Sequence, residues 1–197
     1  TFISKGMVKR AKKLAKQNID KIKNLINKEN VLVGIEPSSL LSFRDEYPSI
    51  VEEDIEQLNS NIYLFDEFFA KEIEENNISA EQFTQKAEKI LLHGHCQQKA
   101  LIGSVYMEKM LSLPKNYSVE VIPSGCCGMA GSYGYEKRHY EKSKQIADLH
   151  LTKAINKADK STIISAPGTS CREQIKHFTQ RKALHPIEIM YNALKTK

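Results

Sequence analysis

No stretch of the 197-residue sequence approaches the ~20 consecutive apolar residues that a membrane-spanning helix needs. Its first residues do not read as a secretory leader. Nothing follows the pattern of a Walker loop, a GxGxxG turn after a strand or a Ser/His/Asp set, so nucleotide hydrolysis, Rossmann-type dinucleotide binding and triad hydrolysis have no motif here. Cysteine is scarce: four residues are too few for a disulfide framework in a chain of this length and point to metal or redox chemistry in a reducing compartment. No two of them form a C-x2-4-C pair, which excludes the compact zinc module. A cytoplasmic protein is expected, with a peripheral position at a membrane allowed.

What is present suits a soluble globular chain, with 41% hydrophobic and 27% charged residues. The net charge of +5 is unevenly placed: residues 1–30 hold nine Lys/Arg against Asp20 and Glu29, and acids crowd between Glu36 and Glu81. The apolar positions Met7, Ala11, Leu14, Ala15, Ile22, Leu25 and Ile26 read as one packed stripe of a helix over about 4–27, with lysines on its wet face. No aromatics interleave those lysines, so nucleic acid is not expected as a partner.

Half of the cysteine sits in one dipeptide, inside Val121-Ile122-Pro123-Ser124-Gly125-Cys126-Cys127-Gly128-Met129-Ala130-Gly131. Neighbouring cysteines rarely bridge each other, because the usual Cα separation in a disulfide exceeds what adjacent residues span without strain. A strand entering such a glycine-flanked turn and leaving as a helix aims N–H groups at the loop, which favours thiolates or another anion. Two readings follow: a metal or cluster loop, or a tight turn with two inert buried thiols. The first is preferred because Cys96 and Cys171 stand at similar junctions.

In chain order, the pattern predicts a strand over 31–35 and a turn at 36–39. A helical stretch from Leu40 is interrupted at Pro48, and capping boxes stand at Ser49/Glu52, opening a helix to about Leu58, and at Ser79/Gln82, opening one to about Glu88. A strand follows at 89–92, then the loop His93-Gly94-His95-Cys96, a helix to about Leu111, and a strand at 119–122 feeding the cysteine pair. A long helix over 135–156, a strand at 162–165, the loop Ala166 to Cys171, a helix to about Phe178 and a short strand at 183–185 complete the series. Pro186 opens a last helix. Ile62–Asp66 fits a strand or a helix entry equally.

Strand, short loop, helix recurs, so the expected class is α/β: two similar halves, 1–88 and 89–197, each with a parallel sheet and flanking helices. The cysteine loops then lie at the carboxyl ends of strands, where such sheets bind ligands. The order helix, strand, Pro-turn over 7–39 recurs over 135–171 as a weak internal repeat. Because the first copy has no preceding cysteine loop, and because residue 1 is Thr, this chain reads as part of a longer polypeptide.

Four thiolates are a complete ligand set for an iron–sulfur cluster or a tetrahedral zinc. The dispersed spacing, 29 residues between Cys96 and Cys126 and 43 between Cys127 and Cys171, suits a cluster in a crevice better than a zinc knuckle. His93 and His95 could ligate a metal, hydrogen-bond a cluster sulfur, or be satisfied by backbone. Arg172 could offset cluster charge, or pair with Glu173 or solvent.

The segment Gly125–Gly131, the His95-Cys96 loop and Pro167-Gly168-Thr169-Ser170-Cys171-Arg172 together resemble the cysteine-rich CCG domain. That domain occurs in subunits of heterodisulfide reductase, of glycolate oxidase (its iron–sulfur subunit) and of anaerobic glycerol-3-phosphate dehydrogenase. Ser132-Tyr133-Gly134-Tyr135-Glu136, His139-Tyr140, Ile35-Glu36-Pro37-Ser38 and Arg44-Asp45-Glu46-Tyr47 resemble the C-terminal part of FAD-linked oxidases of the D-lactate/D-2-hydroxyglutarate dehydrogenase type.

The resemblance implies an electron-transfer module. Cys96, Cys126, Cys127 and Cys171 would be ligands of a 4Fe–4S cluster, with His93, His95, Gly125, Gly128 and Arg172 around them. FAD would belong to an N-terminal domain of the same polypeptide or complex, beside a ferredoxin-like part and an electron acceptor. The chain alone, with no catalytic residue of its own, would be inactive and prone to lose its cluster. A structural zinc or thiol-switch docking module is the alternative.

Three departures from the family pattern bear on the cluster. Gly168 stands where the family's C-x-x-C has a cysteine, Ser39 stands where the first half often has one, and the first half has no Cys-Cys. These argue against a five-cysteine noncubane cluster and against any cluster in the first half, and leave a four-cysteine cluster open.

Overall fold

The computed structural model describes residues 2–195; the expectation attached to Thr1 lies outside them. The chain forms two compact units, Thr1–Phe65 and Asp66–Lys197. Both contain a parallel sheet flanked by helices, as an α/β protein should.

In the first unit, helix α1 (Val8–Ile22) buries Ala11, Ala15 and Ile19, an i, i+4 line that packs with Val51 and Ile55. The buried stripe is narrower than expected, since Met7, Leu14 and Leu25 are exposed. Strand β1 (Leu32–Gly34) leads to the short helix α2 (Pro37–Leu40), whose first position is taken by Pro37. Pro48 does not interrupt its stretch: it lies within the first turn of α3 (Glu46–Ile50), where no backbone N–H is needed. The helix expected from Ser49 is absent; Val51 is extended, and only the short α4 (Glu56–Asn59) forms before strand β2 (Ile62–Leu64). Strand β2 pairs in parallel with β1, Val33 opposite Tyr63, which decides the ambiguous 62–66 segment as strand followed by helix.

Helix α5 (Phe65–Glu74) opens onto the second unit. Residues 66–88, grouped by sequence with the first half, belong to this unit. The Ser79/Gln82 capping box is real but opens only a single 3-10 turn, not a helix to Glu88. Phe83, 3% exposed, is extended and bridges Leu194, while Thr84 N–H donates to Ala193 O. Burial of an aromatic ring and pairing with the distant C-terminal segment override the local helical start.

A four-stranded parallel sheet then forms in the order β4-β3-β5-β6. Strand β3 (Glu88–Leu92) lies between its neighbours and turns a nearly continuous apolar run, Ile90-Leu91-Leu92, into the centre of the core. It is followed by helices α6 (Cys96–Leu101) and α7 (Val105–Leu111), separated at Gly103, where φ is +79°. Strand β4 (Tyr117–Val121) runs into the cysteine pair. The expected single helix over 135–156 is two helices, α8 (Tyr140–Leu149) and α9 (Leu151–Lys157), broken at His150 and preceded by two 3-10 turns. Strand β5 (Ile163–Ser165), α10 (Thr169–Thr179), β6 (Ala183–Leu184) and α11 (Pro186–Ala193) follow. Among the described residues no helix is long and apolar enough to cross a membrane.

The topology places the chemistry. Strands β4, β3 and β5 are adjacent and parallel, so the three loops that follow them emerge side by side at one edge of the sheet. Each loop carries cysteine. The ladder continues one step beyond β3 on both sides: His93 N–H donates to Ser165 O at 2.8 Å, and Ile122 N–H to Leu92 O at 2.8 Å.

Candidate metal centre

The four thiols are all free and form one continuous array. Cys96 is hydrogen-bonded to Cys126, Cys126 to Cys127, and Cys127 to Cys171. The array runs from the surface inward: Cys96 is exposed, Cys126 half-buried, and Cys127 and Cys171 are buried in the apolar core with Ile122, Met129 and Ile175.

Local structure explains where each sulfur stands. Cys96 is the first residue of α6, behind an extended His95. Cys171 lies in the first turn of α10, behind an extended Gly168. Both helices therefore point unpaired N–H groups and the positive end of a dipole at sulfur. Between the adjacent cysteines and α8 the backbone approaches so closely that only glycine fits at 128. Its φ is +93°, and a Cβ there would lie 2.2 Å from Ser143 O. The same turn lets Gly128 N–H donate to Cys126 Sγ at 3.3 Å.

The electrostatics alternate along the array. Hydrogen bonds from Cys127 and Cys96, with backbone N–H groups of Gly128 and Ala130, hold Cys126 far below an ordinary thiol. The hydrogen bond from Cys127 does the same for Cys171, opposed by burial and aided by His93 and His95. Cys96 and Cys127 are pushed up, each chiefly by its hydrogen bond to Cys126 and then, for Cys96, by burial and, for Cys127, by its bond to Cys171. Two thiolates are thus stabilised by donors already in place, the state a metal requires of its sulfur ligands.

The other sequence-selected residues divide. One ring nitrogen of His93 and the sulfurs of Cys127 and Cys171 lie within 4.8 Å of one another. His93 Nδ1 is 2.7 Å from Ser124 Oγ, while its buried Nε2 meets no atom at hydrogen-bond geometry. The pull of His93 on Cys171 acts across this looser approach. His95, also buried, leaves Nδ1 unpartnered, and its ring sits against Gly168: a Cβ at 168 would come 2.6 Å from His95 Cδ2 and 3.2 Å from Cys171 Sγ. Arg172 turns toward its own loop, donating to Ala166 O at 3.0 Å and Pro167 O at 2.6 Å. Gly125 has open space about it and contributes its carbonyl, which accepts from Lys99 Nζ at 2.9 Å.

Sequence reasoning missed the residues that brace the loop. Lys99 Nζ also donates to Ser124 O, so one ammonium clamps the backbone just before Cys126. Ser143 Oγ donates to Gly128 O at 2.8 Å and accepts from Gln174 Nε2 at 2.7 Å, joining the cysteine turn to α8 and α10 in a buried relay. Lys99 could have been found one turn after Cys96 on the same helix, and Gln174 one turn after Cys171. Nothing local singles out Ser143.

His93, Cys127 and Cys171 could hold a metal, with Cys96 and Cys126 further along the array. Tetrahedral zinc with thiolates at about 2.3 Å draws all four donors into one tight sphere. Here neither Cys96 nor Cys126 joins the close group formed by His93, Cys127 and Cys171.

The chain is 29% identical over 192 residues to the D-2-hydroxyglutarate dehydrogenase of Escherichia coli (strain K12), covering 97% of this chain and 18% of that protein. The Haemophilus influenzae enzyme of the same name is 28% identical, again over 97% of this chain and 19% of its own length. A subunit of the anaerobic glycerol-3-phosphate dehydrogenase of E. coli (strain K12) is 27% identical over 98% of this chain and 48% of its own length. The chain therefore spans about a fifth to a half of these relatives. No solved structure matches significantly. Residues 90–176, which hold all four cysteines, match the family model described as cysteine-rich domain, CCG.

Proposed function

We propose that the chain is the iron–sulfur electron-transfer module of a longer FAD-linked 2-hydroxyacid oxidoreductase, of which it forms the C-terminal part. The observation that carries this reading is the convergence of four thiols from three separate loops into one array at the carboxyl edge of the sheet. The dehydrogenase names of the relatives support the redox class. A bound 4Fe–4S cluster would supply reversible one-electron storage at this edge.

The chain's own residues do the rest. Cys96, Cys126, Cys127 and Cys171 would hold the cluster, with Cys126 and Cys171 the two sulfurs whose thiolate form is favoured by hydrogen bonds. The N-termini of α6 and α10 and the Gly128 N–H offset negative charge on sulfur. Lys99 and the Ser143–Gln174 relay fix the turn. The buried end of the array keeps water from the inner thiols, while exposed Cys96 leaves the outer end open to a partner. Electrons would arrive from an FAD domain through a ferredoxin-like part and leave to an acceptor, in the cytoplasm or at a membrane surface. Taking a hydride from a hydroxy acid would belong to the FAD domain, so the isolated chain is expected to be inactive.

Anaerobic purification and reconstitution test this. Iron and sulfide in stoichiometric amounts, with broad visible absorption lost on Cys127→Ser, are expected. Colourless protein holding one zinc would overturn it. The close group of His93, Cys127 and Cys171 is the observation that favours the second reading, a mononuclear structural zinc or thiol-switch module that docks domains without carrying electrons.

A further inference from the structure

We infer that His93 is itself a metal donor, through Nε2, beside Cys127 and Cys171; the inference rests on the cluster reading above. Three observations converge on the ring. Its nitrogen and the two inner sulfurs are mutually within 4.8 Å, the reach of donors that share a metal centre. Its Nε2 is buried without a hydrogen-bond partner, in a residue with 0% exposure. A buried polar atom left unpaired costs about 1–3 kcal/mol, a cost that a metal bound at Nε2 would remove. Its Nδ1 is already engaged, 2.7 Å from Ser124 Oγ.

Ser124 Oγ can accept a proton carried by Nδ1. With the proton on Nδ1 donated to Ser124 Oγ, the lone pair of a neutral imidazole is left on Nε2, on the side away from the serine. Metal-bound histidines are oriented in this way by a partner on their second nitrogen. Ser124 is held in turn, because its carbonyl accepts from Lys99 Nζ. Coordination by a neutral ring involves no electron or proton transfer, and it adds a nitrogen to a thiolate set.

His95 is the internal control. It too is buried with an orphaned nitrogen, but its ring packs against Gly168 and it is absent from the close group. The two histidines of one His-Gly-His loop thus have different duties: His93 donates to metal, and His95 fills the space beside residue 168.

The test is pulsed EPR on the reconstituted, reduced chain with 15N-labelled histidine. A directly bonded nitrogen is expected in the wild type, lost in His93→Ala and retained in His95→Ala. Ser124→Ala, which keeps the ring but frees its second nitrogen, is expected to weaken iron retention by about 10–100-fold. The wild-type spectrum decides even if His93→Ala fails to fold. A loaded wild type with no nitrogen coupling, or coupling that survives His93→Ala, overturns the inference and leaves the cluster reading standing. A wild-type chain that takes up no iron removes both.

Discussion

Replacing Gly128 by alanine places a methyl group where the structure has none to spare. The new Cβ would lie 2.2 Å from Ser143 O and 3.0 Å from Ser143 C, both backbone atoms of α8, and 3.2 Å from Gln174 Nε2. Backbone packed within a helix cannot swing aside as a side-chain tip can, so the cysteine turn must move instead. The residue also has φ of +93°, which costs an L-residue roughly 1–2 kcal/mol. Overpacking a tight site adds about 1–3 kcal/mol. The total, about 2–5 kcal/mol, is a large share of the ~5–15 kcal/mol that holds a typical domain together.

Moving the turn also withdraws the Gly128 N–H from Cys126 Sγ and breaks the bond from Ser143 Oγ to Gly128 O. Equilibrium urea unfolding of the metal-free variant should therefore show a loss of that size, and anaerobic reconstitution should show much reduced iron content. A variant losing less than about 1 kcal/mol, with wild-type iron content, would refute the claim that this close approach sets the cysteine geometry.

Two further outcomes are expected. Gly168→Ala should displace the His95 ring, which its Cβ would meet at 2.6 Å, at a cost of about 1–2 kcal/mol because a side chain can yield; an unmoved ring in a crystal structure of the variant would contradict this. In the metal-free chain, hydrogen bonds hold Cys126 far below an ordinary thiol, so it stays deprotonated as pH changes and should alkylate at a nearly constant rate between about pH 6 and 9. Cys96, raised by its bond to Cys126, should gain reactivity only at more alkaline pH although it is the more exposed; mass-mapped labelling in which Cys96 reacts first at neutral pH would sink the alternation of charge.

The second unit shows what local pattern can carry. The apolar run Ile90-Leu91-Leu92, the Val119–Ile122 run and Thr162-Ile163-Ile164 were legible as strands, and the short loops after them as junctions to helices. Such features depend on neighbours within a few residues: β-branched and apolar runs, prolines at helix starts, glycines at turns. The Ser79/Gln82 box, also local, formed as read, but Phe83 was taken by the core and by Leu194, and the helix stopped. A 3.6-residue period likewise does not register the break at His150 or that between α6 and α7 at Gly103.

The sequence by itself determined an α/β chain, the likeness of residues 90–176 to the cysteine-rich domain, and cysteines at the ends of strands, because side-chain identity and short-range periodicity are written in consecutive residues. Only the tertiary structure decided that β4, β3 and β5 are neighbours, that the thiols therefore form a graded array, that His93 and not His95 stands with the inner pair, and that Lys99, Ser143 and Gln174 brace the turn. Those outcomes depend on which strands share a hydrogen-bond ladder and which side chains exclude water together. Both are set between residues dozens of positions apart, where no local pattern reaches.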